Sequence, residues 1–287
     1  MSEPAAQFRL RIYLALYGAL IVVCVSSLWL SDDLSLGRRP WENLLKTVGD
    51  LSHPSFLDVW FGNPRLEFVS DDGRVLRVED QRASERKYLA GLADATWTTI
   101  KIATLGSLIA ALLALPLGVL TAKNMQAPKP AAWAAKIILD VTRSIHSLVF
   151  GLLFVGIIGL GPTAGIAAIA AHSLGSYGKL YAEAIETIER SLMESGLSLG
   201  ASPIRTLLFA LWRGILPKLM SIHLYVWEFN VRDSTVLGLI GAGGLGLLVS
   251  EAVSLFQWGR LSTVMLTIVV MVALFDTISR RIRHDLI

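Results

Sequence analysis

A single cysteine, Cys24, occurs among 287 residues, so the chain holds no intrachain disulfide and no cysteine-built zinc site. Charge is also scarce. Asp, Glu, Lys and Arg make up 17% of the residues, against about 25% in a soluble globular protein. Neither a G-x-x-x-x-G-K-[ST] loop nor a dinucleotide fingerprint is present, and the glycine string Gly238, Gly241, Gly243, Gly244 and Gly246 matches neither. Any ATP the protein uses is therefore bound by another subunit, and no cofactor is expected on this chain. No basic patch lies on a soluble stretch, which argues against nucleic acid as a partner. No Ser/His/Asp spacing supports hydrolytic chemistry, so no catalytic residue is assigned. An enzyme reading would rest only on histidines and glutamates inside apolar runs.

What the chain has in abundance is apolar: 53% of its residues are hydrophobic, and its net charge is +3. A membrane-crossing helix needs about 20 predominantly apolar residues. Ile12–Leu30 meets this, between Arg9 and Arg11 on one side and Asp32-Asp33 on the other. The run is longer than the roughly 7–15 residues of a signal-peptide core, and no A-x-A site follows, so it reads as a first span rather than a cleaved leader. The stretch 1–30 is thus an N-terminal tail and first span.

Residues 31–94 differ in kind. They are polar, of mixed charge, and carry Trp41 and Trp60. Within them, apolar alternation over Leu66–Val78 surrounds Ser70-Asp71-Asp72-Gly73, which predicts a hairpin. The segment reads as an extramembrane insertion between the first two spans.

From 95 to 287, apolar runs resume at Ala95–Thr121, Ile137–Leu160, Thr163–Ile185, Leu219–Ile240 and Leu261–Ile278. Gly159-Leu160-Gly161-Pro162 is a tight turn, and the glycines from Gly241 break the fifth run. Cationic stretches lie at Arg9/Arg11, Lys123–Lys136, Arg190–Lys218 and Arg280–Arg283. With about six spans they all fall on one side, and short Lys/Arg-rich loops face the cytoplasm. Both termini are therefore expected inside a bacterial plasma membrane, in an all-α, multi-pass protein. Five spans would put the cationic tail outside.

Arg190–Pro217 is a polar, glycine-punctuated segment between apolar runs. It contains Glu194-Ser195-Gly196, then Gly200, then Leu216-Pro217 at the entry to the next run. That is the shape of a loop, about 186–217, that leaves the bilayer, forms a short helix, turns at glycine and docks on a partner.

Charges at membrane depth cost roughly 2.5–3.5 kcal/mol each on insertion scales, so they persist when paired or when they face a watery path. Glu228 and Arg232 are four residues apart and share a helix face. Two readings stand: a structural ion pair that glues helices, or a translocation path for an anion bordered by Arg232, Asn230 and Ser234. Arg143, His146, His172 and Lys179 add cationic or proton-binding groups to the middle runs, which suits a negatively charged solute. Taken singly, an isolated histidine in such a run is a hydrogen-bonded packing residue. The histidines are far apart in sequence with no cysteine or carboxylate cluster beside them, so no metal site is assigned.

From about Ala95 onward the chain resembles the membrane permeases of binding-protein-dependent ABC importers, specifically those of phosphonate and phosphite importers. In the coupling loop, Glu194 and Gly200 match the family's E-A-A, three residues, Gly pattern. Ser195 and Gly196 replace its alanines, Trp212-Arg213 stands where a first Leu-Pro is expected, and Leu216-Pro217 matches the second. A second matching stretch runs from Arg143-Ser144-Ile145 through Gly159–Pro162 and His172 to Gly178-Lys179-Leu180 and Glu183–Glu186. The most specific is Glu228 to Gly246, with Asn230, Arg232, Ser234 and the glycine string.

The resemblance implies a type I importer permease core over 95–287 and a periplasmic location for 31–94. Two permease copies would form one pathway. Two cytoplasmic ATPase subunits would bind ATP and Mg and receive a coupling helix near Glu189–Ser202, with Glu194, Ser195, Gly196, Gly200 and Ala201 at the contact. A periplasmic solute-binding protein would deliver the phosphonate or phosphite-like oxyanion. Another small solute, such as an amino acid or a metal, is the alternative cargo.

Overall fold

The opening helix has no polar face. The structure, a computed structural model, describes residues 3–31, 39–69, 75–125, 127–187 and 215–286. Helix α1 (Glu3–Leu30) holds the 21-residue apolar stretch Leu10–Leu30, whose most apolar window has nothing buried in the protein. At 21 residues and apolar all round, this stretch has the length and character of a helix for lipid. A short amphipathic helix, α2 (Pro40–Leu51), follows. The chain divides into two compact units, Met1–Asp50 and Leu51–Ile287.

The second unit begins with a 3₁₀ turn (Ser55–Leu57) and the one-turn helix α3 (Asp58–Phe61). Strands β1 (Leu66–Val69) and β2 (Val75–Glu79) then pair antiparallel, Leu66 opposite Glu79 and Phe68 opposite Arg77. This is the hairpin the alternation predicts; its Asp-Gly turn lies outside the described residues.

Helix α4 (Gln81–Thr121) starts well before the apolar run at Ala95. Asp80 caps it, its carboxylate accepting from the backbone N–H groups of Arg82 and Ala83. The sequence places the helix start late because its first turns are polar, and hydropathy sees only the part suited to lipid. Helix α5 (Lys129–Ser144) and helix α6 (Ser147–Ile158) meet at a 94° bend. This corrects the expectation of one continuous run over Ile137–Leu160. Helix α7 (Pro162–Glu186) follows the Gly159–Pro162 turn, where Gly159 and Gly161 take φ of 100° and 145°. After the undescribed segment come α8 (Leu216–Leu237), a wide helical turn over Gly238–Ala242, α9 (Leu245–Ser254) and α10 (Trp258–Leu286). Helices α8 and α9 are bent by 56° across the glycine break. Gly241 has φ +97° there, a conformation open to glycine.

Among the described residues, three helices are long and apolar enough to cross a membrane, in α1, α4 and α10; each bent pair adds one more if it counts as one span, making up to five. Helix α7, expected to be a span, has 25 residues. It has the length, at about 1.5 Å per residue, but not the hydropathy, because it lies inside the protein. Its buried residues include Ala164, Gly165, Ala168, Ser173, Gly175 and Gly178.

The packing follows from that. Helix α4 buries Thr99, Ile102, Ala103, Gly106, Ser107, Ala110, Ala114 and Gly118 at helical spacing, while Leu105, Leu108, Leu112 and Leu113 stay exposed. Small residues inside let helix backbones approach, and large apolar residues face out, as helix association in lipid requires. One buried cluster joins Ala110, Tyr177, Tyr181, Ile185, Leu219 and Val226; another joins Ala103, Val231, Leu245, Val264 and Met271. At the outer end of this packing, Arg260 donates to Glu85 at 2.8 and 3.1 Å and lies over the Tyr88 ring, tying α10 to α4.

Candidate functional site

Helix α7 turns a polar stripe away from its small-residue face. His172, Ser176, Lys179 and Glu183 recur at helical spacing along it. Opposite stand the last turn of α5, with Arg143, and the stretch Tyr225–Asn230 of α8. Between them lies a cavity of about 380 Å³, lined by Arg143, His172, Ser173, Lys179, Tyr225 and Asn230, among others. Gly175 makes this possible: a Cβ there would run into the Leu139 carbonyl and the Arg143 backbone N–H, so only glycine lets α5 lie this close.

Asn230 ties two of the helices around the cavity, α7 and α8, to each other and to α4 behind them. It is fully buried; its Oδ1 accepts from Ser173 Oγ at 2.9 Å, and its Nδ2 donates to Ser107 Oγ at 2.7 Å. This line of bonds joins α8 to both α7 and α4. In a low-dielectric interior such a satisfied chain specifies one arrangement of helices.

The α5–α6 bend sits at the same end. The Ile145 carbonyl, freed by the bend, accepts from His172 Nδ1 at 2.8 Å. His146 caps α6, its Nδ1 accepting from the Leu148 N–H at 3.2 Å. The two rings are 5.9 Å apart. Ser147 Oγ donates to the buried carboxylate of Asp233 at 2.7 Å, pinning the start of α6 to α8. Among the described residues, no group of His, Cys, Asp and Glu gathers as a metal ion requires.

Of the residues singled out in the sequence, the structure gathers Arg143, His172, Lys179 and Asn230 around one cavity. His146 stands beside it at the bend. Ser234 is buried and bonds back to the Val231 carbonyl at 2.8 Å, off the cavity. Glu228 does not pair with Arg232. Its carboxylate accepts from Arg283 of α10 at 3.1 Å, and the Arg283 guanidinium also lies 5.7 Å from the centre of the Tyr225 ring. Arg232 is exposed and has no ion pair among the described residues; it continues the stripe of Tyr225 and Phe229 by one turn. Glu194, Ser195, Gly196, Gly200 and Ala201 lie outside the described residues. Sequence reasoning left Ser173, Ser176, Glu183 and Tyr225 out of the site. The helical period of His172, Ser176, Lys179 and Glu183 is the signal that finds Ser176 and Glu183; Ser173 and Tyr225 follow only from the packing of α7 against α8.

The architecture matches known membrane transporters. Residues 114–284 match the family described as binding-protein-dependent transport system inner membrane component. The chain belongs to that family. It is a multi-pass membrane component of a transport system. A phosphite transport system permease protein, PtxC, of Stutzerimonas stutzeri is 34% identical over 199 residues, covering 69% of this chain and 70% of that protein. A phosphate-import permease protein, PhnE, of Mycolicibacterium smegmatis is 35% identical over 197 residues, covering 68% of this chain and 37% of that protein. Among solved structures, a chain of the inward-facing MetNI methionine ABC transporter superposes with a TM-score of 0.58 at 19% identity, over 68% of this chain and 96% of that one. A chain of an amino acid ABC transporter with histidines gives 0.57 at 18% identity, over 71% and 97%. The fold of this permease core is thus the fold of type I ABC importer permeases.

Proposed function

We propose that this chain is one permease subunit of an ATP-driven, binding-protein-dependent importer of phosphite, phosphonate or a like oxyanion. The observation that carries the reading is the family match over residues 114–284 together with relatives named for phosphite and phosphate transport. The surplus of cationic and hydrogen-bonding groups around the cavity suits the same cargo.

Two copies form the pathway, six spans each, with both termini cytoplasmic. Residues 31–94 form the periplasmic insertion, between 1–30 and the permease core of 95–287. Two ATPase subunits bind ATP and Mg, since this chain has no loop for phosphates. Each receives the coupling segment of about 186–217 at Glu194, Ser195, Gly196, Gly200 and Ala201. A periplasmic binding protein presents the solute. Closure of the ATPases draws the coupling segments together and rocks the spans between inward-facing and outward-facing arrangements as rigid bodies. Arg143, His146, His172, Glu228, Asn230, Arg232 and Ser234 belong to, or support, the path.

The test is reconstitution. The permease, its ATPase and its binding protein in vesicles should take up phosphite or a phosphonate on ATP addition. Replacing Glu194 and Gly200 with tryptophan should abolish ATPase co-purification and uptake. Intact assembly and uptake in that variant defeats the docking assignment. A binding protein that takes an amino acid or a metal, and no oxyanion, defeats the cargo assignment.

A further inference from the structure

We infer that the cavity between α5, α7 and α8 is a discrete binding site for one tetrahedral oxyanion, held by Arg143 and Lys179, inside the permease itself. This rests on the importer reading but adds to it: the permease would hold the solute at a defined station and not merely pass it.

The argument begins with how this protein uses its arginines. Among the described residues, four arginine pairs elsewhere close tightly: Arg39–Glu42 at 3.3 Å, Arg260–Glu85 at 2.8 Å, Arg280–Asp276 at 2.8 Å and Arg283–Glu228 at 3.1 Å. The cations at the cavity do otherwise. Arg143 stands 4.0 Å from Asp140, and Lys179 stands 4.0 Å from Glu183. Neither pair is at hydrogen-bonding distance. Both cations keep donors for something in the cavity.

The other lining groups complete a site for an oxyanion. Ser176 adds a hydroxyl, and Asn230 is held rigidly by Ser107 and Ser173. His172 spends Nδ1 on the Ile145 carbonyl, so its remaining ring nitrogen is Nε2. That nitrogen can accept from the acidic O–H of a singly protonated phosphite or phosphonate, or donate when the ring is charged. The guanidinium fork suits a tetrahedral anion, and the lysine serves as a point charge. A volume of about 380 Å³ falls within the range of small-molecule sites.

The surroundings give the site a way out. A second cavity, of about 340 Å³, shares Lys179 and Glu183 with the first and continues past Lys136 and Lys123 to Glu186, at the end of α7. Cations thus recur toward the coupling segment. The acids Asp140, Glu183 and Glu186 lie among them and keep binding loose enough for release.

The experiment uses the complex of permease and ATPase, without binding protein, and follows phosphite and methylphosphonate by phosphorus NMR line broadening. Binding should be saturable. Arg143→Gln and Lys179→Gln should each weaken it about tenfold, as expected for loss of a charged hydrogen-bond partner. Glu183→Gln should tighten it, a gain that general damage to the fold would not give. Arg280→Gln should leave it unchanged. The inference is overturned if the wild-type complex shows no saturable binding, or if Arg143→Gln and Lys179→Gln bind like wild type, while that complex still hydrolyses ATP in response to loaded binding protein. A complex that binds the anion but answers no loaded binding protein retires the importer reading and leaves the anion site standing.

Discussion

Replacing Asn230 with leucine keeps the number and branching of its side-chain heavy atoms and deletes both hydrogen bonds of the buried amide. The bonds lost are Ser173 Oγ to Oδ1 at 2.9 Å and Nδ2 to Ser107 Oγ at 2.7 Å. Interhelical bonds in membrane proteins are worth about 0.6 kcal/mol on average and about 1.7 at most, because partners re-form elsewhere. Both serines can turn to carbonyls of their own helices. The loss is therefore set at about 1–3 kcal/mol for the two bonds, not at the larger cost of orphaned buried groups. Reversible unfolding by SDS titration in mixed micelles measures it. A double-mutant cycle with Ser107→Ala isolates one bond, with an expected coupling of about 0.6–1.7 kcal/mol. Effects that add within about 0.3 kcal/mol would mean that the amide does not join α8 to α4, and the account of how the cavity is held open would fail.

Three further outcomes are expected. Arg260→Met leaves the Glu85 carboxylate, whose side chain is 8% exposed, without its cation; the cost is about 3 kcal/mol, and Glu85→Leu in the same chain should recover much of it, in the same unfolding assay. Gly175→Ala forces a Cβ against the Leu139 carbonyl and the Arg143 N–H and should cost about 1–3 kcal/mol. By contrast, Gly156→Ala, where a Cβ meets nothing within 4 Å, should leave stability equal or raise it by up to about 1 kcal/mol; equal thermal shifts for the two would contradict the close approach of α5 and α7. Glu228→Ala and Arg283→Ala should destabilise by similar amounts, and the double variant should be no worse than either single one; strictly additive losses would show that the 3.1 Å pair is not a working contact.

Much of the architecture is written locally in the chain. Apolar runs marked α1, α4 and α10, because length and hydropathy suffice for a helix whose surroundings are lipid. The Gly159–Pro162 turn and the break at Gly241 were legible because the φ values there favour glycine. The hairpin strands followed from alternation alone. Local sequence also hid things. The first turns of α4 are polar and capped by Asp80, so hydropathy placed that helix's start too late. Helix α7 has the length of a span but not the hydropathy, because its small residues serve packing against other helices.

The chain by itself determined that this is a helical membrane protein, and which polar residues it carries at depth; those properties follow from composition, period and turn chemistry. Only the tertiary structure decided where those polar groups go. The bend at Ile145–His146 has no glycine or proline to announce it and is held by His172 from α7 and by Asp233 from α8. Spacing offered Arg232 as the partner of Glu228, yet α10 brings Arg283 to it from 55 residues away. A helical repeat fixes which residues share a face, but only packing fixes what that face meets.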